Sequence, residues 1–200
     1  MKKLEIINDW VQEGSKVLFL GCGNGEKIKE MHSTNKIRGF GLDIDEKKVY
    51  EAISDGLSVT QGNINTDLMD YPKKSFDYII AHDIIQIMEK PAVTIRQILE
   101  LSDKVIISFP NFGFIDISLC ILFKGRMPKT KILPYEWYDT PNIHLFTIKD
   151  FIDFCRKENI KILDYHFTGF GKRTIPKTRT IPKALLPNLF SEFAYFLLKK

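Results

Sequence analysis

Residues 17–25 read VLFLGCGNG, an apolar run that stops in Gly21, Gly23 and Gly25 with one residue between successive glycines. A strand feeding such a turn brings backbone close to a ligand, because glycine adopts left-handed conformations and puts no Cβ in the way. The spacing is G-x-G-x-G, and Glu26 stands where the G-x-G-x-x-G of dinucleotide sites needs glycine. A dehydrogenase is therefore disfavoured.

Outward from this turn the chain keeps a regular rhythm. Short apolar runs at 16–20, 37–42, 57–61, 76–81 and 104–109 alternate with helical patterns at 25–32, 46–54 and 91–101, the last starting at Pro91. That alternation is the mark of βαβ units around a parallel sheet. Leu4, Ile7 and Val11 predict an amphipathic helix ahead of the first strand. Thr147 followed by Asp150 predicts a capped helix to about residue 158, then a sixth strand near 160–167. The apolar end, FAYFLLKK, reads as a buried seventh strand.

Two stretches break the rhythm. Residues 112–146 hold an apolar segment and then a run rich in aromatics and proline without a clean period, as expected of a segment covering a site. Residues 172–192 form a basic connection to the last strand, carrying RTIPK twice, at 173 and 179. From 172 to 200 the net charge is +6, which leaves −2 for the rest of a chain whose total is +4. A slightly acidic body argues against nucleic-acid binding.

The 200 residues, 44% hydrophobic, fit one domain. Cys22, Cys120 and Cys155 are odd in number and widely spaced, so neither a disulfide framework nor a zinc or other metal site is expected, and the cytoplasm is the expected compartment. Glu5 and Asp9 interrupt any signal peptide, and the apolar run 114–123 is too short to span a bilayer.

In a doubly wound sheet the ligand lies at the carboxyl ends of the strands, where strand order reverses. Gly21, Gly23 and Gly25 end the first strand there, Asp43 ends the second at the distance from the glycines at which a carboxylate meets ribose hydroxyls, and Asn63 ends the third, able to accept from an adenine amino group. Together they specify an adenosine-like ligand. Asp45 reads as the cap of the following helix.

With these motifs the chain resembles the class I S-adenosylmethionine-dependent methyltransferases, and VIISFPNFG at 105–113 with GRMPKTKILPYEWYDTPNIH at 125–144 narrows the resemblance to the methionine biosynthesis protein MetW family. The resemblance implies an α/β, Rossmann-like doubly wound seven-stranded sheet, mostly parallel with the last strand antiparallel. It implies S-adenosylmethionine or S-adenosylhomocysteine as the cofactor, with Gly21, Gly23 and Gly25 at its methionine end, Asp43 on the ribose and Asn63 with Ile64 on the adenine. Cys22, Ile44 and His82 complete the implied cofactor set. It further implies homoserine O-acyltransferase as a partner in methionine biosynthesis; the alternative is an active methyltransferase on a small-molecule acceptor. The family pattern places a carboxylate where this chain has Phe19 and an Asp where it has Asn63. Loss of a charged acceptor at 19 costs roughly 1.5–3 kcal/mol, about ten- to a hundredfold in affinity.

Methyl transfer depends mostly on positioning, so a general base is optional. His82, Asp83, Asn111, Tyr135, Tyr138, Asp139 and His144 are the candidates over the site and form no recognisable catalytic constellation. Trp137 with Tyr135 and Tyr138 reads as a substrate-stacking surface, a partner anchor or the segment's own core.

Overall fold

The computed structural model describes residues 3–130, 133–169 and 185–200. The basic stretch 172–183 lies outside them. Seven strands form one sheet: β1 (Lys16–Leu20), β2 (Arg38–Asp43), β3 (Ser58–Gln61), β4 (Phe76–His82), β5 (Ser102–Pro110), β6 (Lys161–Gly169) and β7 (Ser191–Lys199). Their order is β3-β2-β1-β4-β5-β7-β6, with β7 antiparallel to both its neighbours. Strand order reverses between β1 and β4, which opens a crevice over the end of β1. This is the sheet of the class I methyltransferases.

Alternation along each strand sends side chains to two cores. On one face Leu18, Leu20, Ile79, Ala81, Ile107, Phe109 and Phe196 meet α4 (Pro91–Leu101) and α6 (Ile148–Lys157). On the other, Val17, Phe19, Tyr78, Ile80, Ile106 and Tyr195 meet α1 (Lys3–Asn8), α2 (Glu26–Asn35) and α3 (Glu46–Ser54). The expected caps are present. Asp45 accepts from the backbone N–H of Lys47 and Lys48, and Thr147 with Asp150 closes a reciprocal capping box at the start of α6.

Two boundaries differ from the sequence reading. Residues 112–146 contain a helix, α5 (Ile115–Lys124), which no amphipathic period announces because Leu119, Ile121, Leu122 and Phe123 are exposed. The basic connection 172–192 ends in a short helix, α7 (Leu185–Phe190), and β7 begins at Ser191.

Among the described residues no helix is long and apolar enough to cross a membrane, and no cluster of His, Cys, Asp and Glu is arranged to hold a metal ion.

Candidate cofactor site

The turn after β1 is built on left-handed backbone: φ is 64° at Gly21, 57° at Gly23 and 78° at Gly25. At Gly25 a Cβ would come within 2.2 Å of the Leu57 side chain, so only glycine lets α2 start this close to α3 and β3. The N–H of Gly21 donates to Leu42 O at 2.8 Å, tying the turn to the end of β2. Asp43 then fastens it from the side. Its Oδ2 accepts from Gly23 N at 2.6 Å and its Oδ1 from Asp45 N at 2.9 Å. A carboxylate offers about four lone-pair sites. Two hold the loops, and the other two stay open to hydroxyl donors.

Cys22 contributes backbone to this turn rather than a reactive thiol. Its side chain folds back over Gly41, where an added Cβ would stand 2.5 Å from the sulfur. Burial, then the neighbouring Asp43 carboxylate, pushes the thiol up to about 11, so it stays protonated at neutral pH.

Beside Asp43, Ile44 holds its side chain 67% exposed, an apolar face of the kind a purine covers. Ile64 is half-buried against the core around α4. Asn63 lies in the same loop, but its Oδ1 accepts from Asn65 N at 2.9 Å and Asn65 Nδ2 at 3.0 Å. A purine amino group takes that oxygen only in exchange for Asn65 Nδ2. The loop is held from below by Asp67, whose Oδ2 accepts from Asn63 N at 2.8 Å. The Thr66 hydroxyl and the Asn63 N–H together keep the Asp67 carboxyl below its usual range. Glycine turn, Asp43, Ile44 and Ile64 thus fit an adenosine group bearing an amino-acid tail.

Phe19 has a different place from the one its sequence position suggests. It is 3% exposed and belongs to the core between the sheet and α1–α3. A carboxylate there would be a buried charge in an apolar environment.

His82 is packed within the sheet. Its ring is buried, stacks on Tyr195 with centroids 6.3 Å apart, and meets Ser108 Oγ through Nδ1 at 2.5 Å. The Ser108 hydroxyl donates to Asp83 Oδ1 at 3.0 Å, so its single proton is used and the Nδ1 proton belongs to His82. The sheet register extends this contact into a row. His82 lies opposite Ser108, Ser108 opposite Tyr195 and Tyr195 opposite His166, across four adjacent strands. All four are buried, and burial with the Asp83 carboxylate raises the Tyr195 phenol far above its ordinary value. No sequence spacing reveals this row, because the register of β7 creates it. Asp83, half-buried with φ 57°, follows β4 directly and accepts from the row's Ser108.

The remaining candidates separate. Asn111 is fully buried, donating to Asn188 O and Ser191 O at 2.7 Å each and accepting from Gly113 N and Ile148 N. It is a joint between β5, α6 and α7 with no side-chain group left for a substrate. His144 secures the covering segment through its main chain, since the N–H groups of Ile143 and His144 both donate to Gln86 O. Tyr135, Tyr138, Asp139 and Trp137 are exposed, so the aromatic run is not the segment's own core. That core is Phe114, Ile117 and Leu133.

Comparison with known proteins agrees with this fold. The fold matches a SAM-dependent methyltransferase from Archaeoglobus fulgidus with a TM-score of 0.68 at 12% identity, covering 99% of this chain and 95% of that one. It matches magnesium protoporphyrin IX methyltransferase from Synechocystis PCC 6803, solved with bound SAH, with a TM-score of 0.64 at 16% identity, covering 100% and 83%. A curated relative, the bifunctional methionine biosynthesis protein MetXA/MetW of Rhodopirellula baltica, is 29% identical over 167 residues. That match takes in 79% of this chain but only 27% of the relative's length. The family model described as methionine biosynthesis protein MetW matches residues 1–198, so the chain belongs to the MetW family.

Proposed function

We propose that this chain binds S-adenosylmethionine or S-adenosylhomocysteine at the ends of β1, β2 and β3, and supports the homoserine O-acyltransferase of methionine biosynthesis. The observation that carries cofactor binding is Asp43, which locks the glycine turn with one side of its carboxylate and keeps acceptor capacity for a ribose. Gly21 and Gly23 let the backbone approach the amino-acid tail, and Ile44 and Ile64 flank the purine. The bound cofactor would bring an electrophilic methyl group. Around it the residues described here supply orientation, and at and just past the end of β4 the polar groups His82 and Asp83 are both bonded to Ser108. The acyltransferase role rests on MetW membership and on the relative whose name joins MetXA and MetW. In this reading the cofactor reports pathway end product to the acyltransferase. Three free thiols suit a reducing cytoplasm.

The test is calorimetric titration of the wild type and Asp43→Ala with S-adenosylhomocysteine, followed by acyltransferase assays with and without the chain. Binding that weakens at least about tenfold in Asp43→Ala is expected, together with an acyltransferase rate that changes on mixing. An unbound wild type refutes the cofactor half, and an unchanged rate with no co-elution refutes the partner half.

One observation favours a second reading, methyl transfer to a small-molecule acceptor: the His82–Ser108–Asp83 network stands at the ends of β4 and β5 beside the crevice. Label transferred from methyl-labelled cofactor into a small molecule of the cell extract would establish it.

A further inference from the structure

The segment between β5 and α6 exposes apolar side chains that the fold does not use. On α5, Ile117 turns inward to Phe114 and Leu133, while Ile121, Leu122 and Phe123 are 49%, 73% and 77% exposed. Trp137 and Tyr138, 75% and 71% exposed, stand edge to face at 5.6 Å. Single exposed apolar residues are ordinary, but a concentration of this kind in one segment marks an interaction surface. A cavity of about 580 Å³ opens in the same segment between Met127, Leu133, Tyr135 and Trp137. Lys124 and Arg126 are exposed at the end of α5 without an ion pair among the described residues, whereas Lys129 pairs with Glu136 at 2.8 Å. Aromatic residues, Met and Arg around an apolar centre are the composition of protein–protein contacts.

The occupant follows from the proposed function, on which this inference rests. In the bifunctional relative, a MetW part and a second unit share one polypeptide, so covalent linkage pairs them. A pairing of that kind needs a contact surface on the MetW part, and within residues 1–198 the exposed apolar stretch offers one. We propose that α5 together with residues 135–138 is the docking surface for the acyltransferase subunit, whose matching face presents an apolar protrusion flanked by carboxylates. The apolar centre supplies affinity; Lys124 and Arg126 steer the approach.

The experiment titrates homoserine O-acyltransferase from the same organism with the wild-type chain, with Leu122→Glu/Phe123→Glu and with Arg126→Glu. The double variant should bind at least about thirtyfold more weakly. Its melting temperature and S-adenosylhomocysteine binding should match wild type, because both side chains are solvent-exposed. Arg126→Glu should slow association, most visibly at low salt. If the double variant binds as wild type does, the surface is overturned while the proposed function stands. If wild type forms no complex, the proposed function fails and the surface fails with it. Two further results would overturn the acyltransferase as occupant: a dimer of the chain that the double variant dissolves, or phosphatidylglycerol vesicle binding that it abolishes while acyltransferase binding persists.

Discussion

The region from β1 to α3 and the segment from 112 to 146 are both rich in apolar residues, yet they place them oppositely. In the first, Val17, Leu18, Phe19, Leu20, Ile28, Met31 and Leu42 are all at most 3% exposed. In the second, Leu122, Phe123, Trp137 and Tyr138 are all more than 70% exposed. The first region uses most of its hydrophobicity to make the fold, and in the proposed site it offers mainly backbone, Asp43 and Ile44. The second uses little of its own, and is held to the molecule at its ends by Asn111, Thr147 and the paired bonds to Gln86. Buried apolar area therefore shows what a segment does for stability, and unburied area shows what is left for other molecules.

Breaking the contrast most sharply, Phe19→Asp should destabilise the protein by roughly 3–5 kcal/mol in urea unfolding, while Phe123→Asp should stay within about 0.5 kcal/mol of wild type. A stable Phe19→Asp would mean that position 19 reaches the crevice after all. Next come the anchors of the covering segment. Asn111→Ala leaves buried backbone groups without partners and should cost about 2–3 kcal/mol, with faster hydrogen exchange across 112–118. Thr147→Ala, losing a cap, should cost about 1 kcal/mol and loosen only the start of α6.

The smallest effect lies in pH. Asp45 and Asp67 are held below the ordinary 3.8 by hydrogen bonds at the loops after β2 and β3, and both are partly exposed. Their contribution is present above the unfolded value and is lost as pH falls through the depressed folded values. Urea midpoints should therefore decline more steeply from about pH 5 to about pH 2 in wild type than in Asp45→Asn/Asp67→Asn. Phe123 variants keep both carboxylates and should follow the wild-type slope.

Much of the fold is legible in the sequence because its signals are local. The bounds of β1, α3 and α4, the Asp45 cap and the Thr147–Asp150 box were all carried by neighbouring residues. The helix α5 was hidden because periodicity reports a face turned to the protein's own core, and most of its apolar residues face elsewhere. Asn111 looked like a site residue at a strand end, since its partners stand 77 and 80 positions away. Phe19 could be assigned to the core only once the sheet showed which face of β1 it occupies. The row from His82 to His166 needed the register of four strands, set by distant pairings.

That register has a further consequence during synthesis. Because β7 lies between β5 and β6, both neighbours are made before the strand that joins them. Until residues 191–199 emerge, β5 and β6 each carry an open edge, and a chain cut before Ser191 would expose two templates for pairing with other chains. Closing the sheet also requires contacts distant in sequence, which form slowly. The interval between making β6 and inserting β7 is thus when the nascent protein is most exposed to aggregation.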